Sequence, residues 1–406
     1  MKTIPILFTC VIVFSFACTN DKRISSVDPG AATQIDSFPG SCPFLTKDSK
    51  GNIFLSWVRM MNDSSASFCY AVSADGGKSF GKTIVIPSSN SIQPHSENLP
   101  KIIVRPSGEI MALWGAANPN PKNKYSGLVF YSQTFDEGKT WSEPKPLVSD
   151  TTSYDQRYYD VALLPGNEIG VTWLDNRKST DKEGSGLYFA ATEGSNGFQR
   201  EKRISEQCCQ CCRTDLFVDS KKSIHVLYRG IINDSIRDMV HIVSDDGGKN
   251  FSLAKRISND NWVIKGCPHT GPSMAENKEG LHFAWFTGGA NKGCFYTQSG
   301  DNGNSFSQHE RISLLGSHPQ ISSFANGGLV ITWDESVQVN NKYYKRIGVQ
   351  KRTATGTSGN QVFITADTLN ATYPVIETLN DSNSLIAYTL KKRNKNYIMY
   401  QRVTIK

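Results

Sequence analysis

The sequence has no run of lysines and arginines, no basic helix and, past its first residues, no apolar stretch of membrane length. The first two absences argue against nucleic acid as a partner. The third leaves only the start of the chain as a membrane signal. Net charge is +7 over 406 residues, a mild bias that suits an anionic ligand such as a carboxylated or sulfated sugar. What is plentiful is glycine, at 33 residues, and aromatic side chains, at 10%. With 38% hydrophobic residues, this composition fits many short strands joined by tight turns, in one large all-β domain or two smaller ones.

Lys2 precedes an apolar stretch from Ile4 to Phe16, followed by Ala17-Cys18. This reads as a signal peptide over residues 1–17, too short to remain as a span. Ala17-Cys18 resembles a bacterial lipobox, with Ser15 where leucine is usual, so Cys18 is expected to carry lipid; simple secretion is the alternative. Residues 18–37 read as a polar tether and 38–406 as one domain. The implied location is the cell envelope, with membrane contact only through the anchor and the chain a monomer.

Ten cysteines are present. Cys10 leaves with the signal, and Cys18 is the lipid site. Cys42, Cys69, Cys208, Cys209, Cys211, Cys212, Cys267 and Cys294 remain, and in an oxidising compartment disulfides are the default expectation. Cys42 with Cys69 and Cys267 with Cys294 share one spacing along the chain, which suggests two bridges within blades, although strand parity differs. The run CCQCC from Cys208 to Cys212, with Cys267 and His269 on a later link, also offers thiolate and imidazole ligands suited to Cu(I) or Zn(II).

A repeat runs through residues 38–406: an apolar strand, a turn, a second apolar strand often ending in Trp, and a third closing on Ser/Thr-x-Asp-x-Gly-x-x-Phe/Trp. That closing element occurs at Ser73–Phe80, Thr134–Trp141, Ser244–Phe251 and Ser299–Phe306, with a degenerate copy near Thr192–Phe198. Its aspartate can accept backbone N–H bonds and its glycine permits positive φ. In this element the sequence resembles the Asp-boxes of the sialidase superfamily. First strands open near Pro43, Pro100, Asp160, Asp215, Pro272, Pro319 and Pro374, about 47 to 60 residues apart, as four-stranded propeller blades require. The expected fold is an all-β propeller of seven units, six blades being the family's number and the alternative. The last unit lacks a clear fourth strand, which residues before Phe38 can supply.

Because the Asp-boxes join strands three and four, the links between blades and the loops joining strands two and three share the opposite face. The unusual residues fall there: Cys42, His95, Glu97, Arg157, Tyr158, Tyr159, Asp160, the CCQCCRTD segment, GCPHTGP, His318 and Tyr373. The resemblance implies an arginine clamp for a carboxylate, a tyrosine nucleophile with a glutamate, and an aspartate acid/base. Carried over residue by residue, it makes Tyr373 the nucleophile, Asp63 the acid/base and Arg229 a clamp residue. Arg59, Arg177, Arg237, Asp160 and Tyr159 are further candidates for contacting substrate. The pattern departs from the family at Ser41, where a clamp arginine belongs, and at Cys212, where the activating glutamate belongs. Two functions stay open: an exo-sialidase-type glycoside hydrolase acting on anionic glycans, and a non-hydrolytic propeller whose Cys/His-rich mouth binds a metal or a partner. His225 and His282 lie within strands and read as core.

Overall fold

Alternation and β-branched or aromatic content make each repeat a set of strands. Ile53–Met60 (IFLSWVRM), buried nearly throughout, is typical of a middle strand covered on both faces. The computed structural model describes residues 27–62, 65–119, 123–149, 155–177 and 183–405. Among these, the strands form seven antiparallel sheets, six of them four-stranded and taken in chain order. Among the described residues, one short 3-10 turn, Gly194–Asn196, is the helical content, and no helix is long and apolar enough to cross a membrane.

The innermost strands are Gly40–Lys47, Lys101–Val104, Gln156–Leu163, Asp215–Val218, Ser273–Asn277, Gly316–Ser323 and Ala371–Thr378. Each touches the first strands of both neighbouring blades, so they close a ring around an axis. The chain is therefore a seven-bladed β-propeller, and the count of seven units holds. The last blade is completed by the N-terminal side of the chain: Val27 pairs with Ile405 and Pro29 with Val403, and Thr33–Gln34 pairs further along the same strand. Residues before Phe38 thus supply the fourth strand that the last unit lacks, within the segment read as a tether. The signal segment and Cys18 lie outside the described residues.

The second strands carry Trp57, Trp114, Trp173, Trp285 and Trp333, each fully buried between blades. His225 and His282 are indeed core residues, within hydrogen-bond reach of His241 (3.0 Å) and the Tyr296 hydroxyl (2.8 Å).

The strand three-to-four turns share one construction. In Ser244–Phe251, Ser244 Oγ donates to Asp246 (2.8 Å), the Gly248 amide donates to Ser244 Oγ (2.9 Å), and Asn250 donates to Asp246 through its backbone (2.8 Å) and side chain (2.7 Å). These donors hold the Asp246 carboxyl down to about 2. Ser73/Asp75, Thr134/Asp136 and Ser299/Asp301 repeat the arrangement. Where the motif is degenerate, in the third blade, Glu168 reaches over from the strand one-to-two turn to take the Thr192 hydroxyl and the Gly194 amide.

Candidate functional site

The opposite face is built on a repeated distortion. Strand register shifts between Ser41 and Phe44, Arg157 and Asp160, Ser317 and Gln320, and Thr372 and Val375. Each shift inserts one extra residue at the start of a first strand, a bulge that re-aims a side chain. One residue in each bulge is left-handed: Cys42 (φ 60°), Tyr158 (57°), His318 (52°) and Tyr373 (52°), joined by His269 (49°) on the link before the fifth blade. None is glycine, and such backbone is unfavourable for bulky residues unless the surroundings hold it. Cys42 hydrogen-bonds the backbone near His95. The His95 ring lies 5.4 Å from Tyr158 and 5.2 Å from His269, while His318 lies 4.0 Å from Tyr373.

Glu97 and Arg213 bridge this ring. Both are buried, with Arg213 Nη1 2.6 Å from Glu97 Oε1. The Arg213 and Gly271 amides also donate to Glu97, and Arg213 Nη2 donates to the Pro319 carbonyl. One ion pair thus ties the entries of the second, fourth, fifth and sixth blades. Beneath it, Lys101 pairs with Asp160, and burial together with the Asp160 charge pushes the Asp215 carboxyl up.

Tyr373 stands beside this pair. Burial first, then the nearby Glu97 and Asp334 charges, push its hydroxyl up to about 12, so the phenol stays protonated. Its amide donates to Asp334 Oδ2 at 3.0 Å. The same oxygen is 2.6 Å from His318 Nδ1, and Lys345 Nζ lies 2.9 Å from the other oxygen. Burial works to raise the Asp334 pKa, but His318, Lys345 and the Tyr373 amide bring it down to about 2. The Asp334 carboxylate at Nδ1 fixes the orientation of the His318 ring.

On the side of the second to fifth blades, a cleft of about 450 Å³ is lined by His95, Asp155, Arg157, Tyr158, Cys211, Cys267 and His269, among others. The buried Nδ1 of His269 has no hydrogen-bond partner among the described residues. Cys209, Cys211 and Cys212 gather behind the cleft with all three Sγ atoms within 4.8 Å of one another. Hydrogen bonds from Cys211 and Cys212 pull the Cys209 thiol below its usual range, and Arg229 and Arg237 add to the effect. Cys208 is separate, its thiol raised by burial beside Ser205.

The sequence candidates divide accordingly. Tyr373 faces the mouth, and Cys211, Cys267 and His269 share the cleft. Arg229 is buried, with Nη1 and Nη2 donating to the carbonyls of Arg237, Thr270 and Phe286, and Arg237 pairs with Glu183. These guanidinium groups brace loops and offer no open fork to a carboxylate. Arg59 pairs with Asp36 and Arg177 with Asp175 and Glu201, away from the ring. The Tyr159 hydroxyl donates to the Leu99 and Leu113 carbonyls inside the core, and Asp160 is held by Lys101. Asp63 lies outside the described residues.

The eight described cysteines are thiols, and the suggested bridges are not formed. Cys42 and Cys69 sit on the first and third strands of one blade with Trp57 between them, since Trp57 pairs with Cys69 and faces the bulge carrying Cys42. Two strand spacings are about 9.5 Å, beyond disulfide reach. Cys294 is buried near Asp334 and Glu335 of the sixth blade, whereas Cys267 stands by Arg157 and Tyr158 of the third.

No family model and no curated protein matches the sequence. Solved structures match along most of its length. A protein of unknown function from Dyadobacter fermentans is 14% identical, with 94% of this chain and 99% of that one covered and a TM-score of 0.56. The BP39L lectin from Burkholderia pseudomallei is 9% identical over 94% and 96%, at 0.58. Polysaccharide lyase Uly1 is 11% identical over 92% and 91%, at 0.57. Sialidases also stand among the structural neighbours. At these identities the likeness shows the propeller fold alone.

Proposed function

We propose that this chain is an exported, lipid-anchored propeller that binds an acidic polysaccharide at its axial mouth and cleaves it by β-elimination. The observation that carries this reading is the Tyr373–His318–Asp334 cluster, two rings with centroids 4.0 Å apart on left-handed bulges and a buried carboxylate that meets His318 Nδ1 and the Tyr373 amide. Asp334 orients His318 so that Nε2 is the base for the proton α to a uronate carboxylate. Tyr373, protonated throughout the neutral range, donates to the departing glycosidic oxygen. Elimination suits this site better than hydrolysis through a tyrosine nucleophile. Burial keeps the Tyr373 hydroxyl protonated, and the Glu97 carboxylate beside it is already engaged by Arg213 and the Gly271 amide. The lectin and polysaccharide lyase neighbours support a glycan ligand, and the net charge of +7 suits an anionic one.

Sialidase-type hydrolysis is the second reading, favoured by one observation: Tyr373 stands beside a glutamate and an arginine, Glu97 and Arg213. Incubating the protein with uronic-acid polysaccharides and with sialosides separates the two. Elimination gives an ultraviolet-absorbing unsaturated sugar; hydrolysis gives free sialic acid and no such absorbance. Under the first reading Tyr373→Phe and His318→Ala each lower the rate of unsaturated product by about 10²–10⁴-fold. Release of sialic acid, or no product from any substrate, overturns it.

A further inference from the structure

Three thiols within four residues remain unexplained by the glycan reading. Cys209, Cys211 and Cys212 are each buried, and their Sγ atoms lie within 4.8 Å of one another, the only such cluster of potential ligands among the described residues. The Cys209 and Cys211 sulfurs are 3.6 Å apart. A disulfide needs about 2.05 Å, whereas thiolates sharing a tetrahedral zinc at about 2.3 Å stand about 3.8 Å from each other. The loop that carries them is fixed from outside: the Cys209 amide donates to the Arg229 carbonyl at 2.8 Å, the Ile231 amide to the Gln207 carbonyl at 2.6 Å, and Cys208 bridges Gly230.

We propose that Cys209, Cys211 and Cys212 form a three-thiolate site for a thiophilic d¹⁰ cation, Zn(II) or Cu(I), with one coordination position open to the cleft. Three sulfur ligands are what such cations select over magnesium or calcium. A structural zinc site is closed by four protein ligands, while a site that meets a ligand keeps one position free. Cys211 belongs both to the cluster and to the wall of the 450 Å³ cleft, so the cation reaches solvent through that wall. Cys267 and His269 line the same cleft but stand outside the cluster, where they can meet a ligand bound on the metal. The site is independent of the Tyr373–His318–Asp334 cluster and stands whether or not the protein cleaves glycans.

The test uses the full chain purified under anaerobic, reducing conditions, loaded in separate arms with Zn(II) and with Cu(I), then dialysed. The expected result is one equivalent of one of these metals, with an X-ray absorption spectrum showing three sulfur neighbours. Cys211→Ser and Cys212→Ser are expected to lose the metal. Cys208→Ser and Cys294→Ser, which remove buried thiols outside the cluster, keep it. Thermal melting of each variant separates loss of a ligand from loss of the fold, and the absorption spectrum of the unsubstituted protein decides even where a variant does not fold. The proposal is overturned if neither metal is retained, if the sulfur shell is absent, or if two of the three thiols are already joined in a disulfide.

Discussion

The two faces of the propeller meet the same backbone demand in opposite ways. Both need residues at positive φ where strands turn or bulge. On the turn face glycine supplies most of them, alongside Glu137, Asn167, Lys222 and Asn302, in motifs whose aspartates bond their own loop. On the mouth face the same conformation is taken by Cys42, Tyr158, His269, His318 and Tyr373, residues that find it unfavourable. A fold that required only the bulge would use glycine there too. The difference separates a face selected for closure from one selected for the side chains it presents, since strain of this kind persists where the surroundings over-determine it.

The sharpest way to break the comparison is at the mouth. Glu97→Ala removes the carboxylate that meets Arg213 and leaves a buried guanidinium without its counter-charge, expected to cost about 3–5 kcal/mol of stability. Denaturant unfolding measures it. A double replacement, Glu97→Leu with Arg213→Met, should recover most of the loss, because a buried ion pair replaced by apolar side chains of similar volume is often close to neutral. If Glu97→Ala alone unfolds no more easily than the unsubstituted chain, the mouth is not held by this pair.

On the turn face the corresponding probe is Gly248→Ala. Its φ is 84°, and an added Cβ would stand 2.5 Å from the Phe189 ring of the preceding blade. The same turn position meets Tyr70 at Gly138, His241 at Gly303 and Leu385 at Gly77, so this glycine is a blade-to-blade contact as well as a turn residue. Backbone strain and overpacking together should destabilise by about 2–4 kcal/mol, with the product spectrum on polysaccharide unchanged. A shift in substrate preference would show that the two faces are coupled.

Most of the fold was legible because propeller repeats state their own period. The Asp-x-Gly turns, the second-strand tryptophans and the first-strand openings at Pro43 through Pro374 fixed blade number, polarity and the face on which Tyr373, His318 and the cysteines lie. The site was legible only as a list of residues on that face. Which arginines are free depends on carbonyls that no local pattern announces: Arg229 looks like a clamp in Tyr-Arg-Gly, and the backbone oxygens of Arg237 and of the distant Thr270 and Phe286 claim it. Arg213 lay unremarked inside CCQCCRTD, yet it holds the axis through Glu97. The equal spacing of Cys42–Cys69 and Cys267–Cys294 misled for a similar reason, since chain spacing says nothing of the intervening middle strand that keeps the first pair apart.

The smallest effect falls between the faces, in the core. Burial first, then His225 and Lys255, lower the His241 pKa to about 3, and burial first, then Arg352, brings His282 to about 4. Both are neutral in the folded protein, while the unfolded chain takes up a proton near the ordinary value of 6.5. As pH falls below 6.5 the unfolded state therefore binds more protons, and stability falls with it; above 6.5 the contribution is complete. Each such histidine contributes a slope approaching about 1.4 kcal/mol per pH unit. His241→Gln should remove one share, so that unfolding free energy between pH 6 and about 4.5 declines less steeply than in the unsubstituted protein. The carboxylates of the Asp246-type turns, held down to about 2, begin to lose their share only below the ordinary aspartate range. A profile that is flat to pH 4.5 and then collapses would assign acid sensitivity to the turn face, and one that declines from pH 6.5 assigns it to the histidines between the blades.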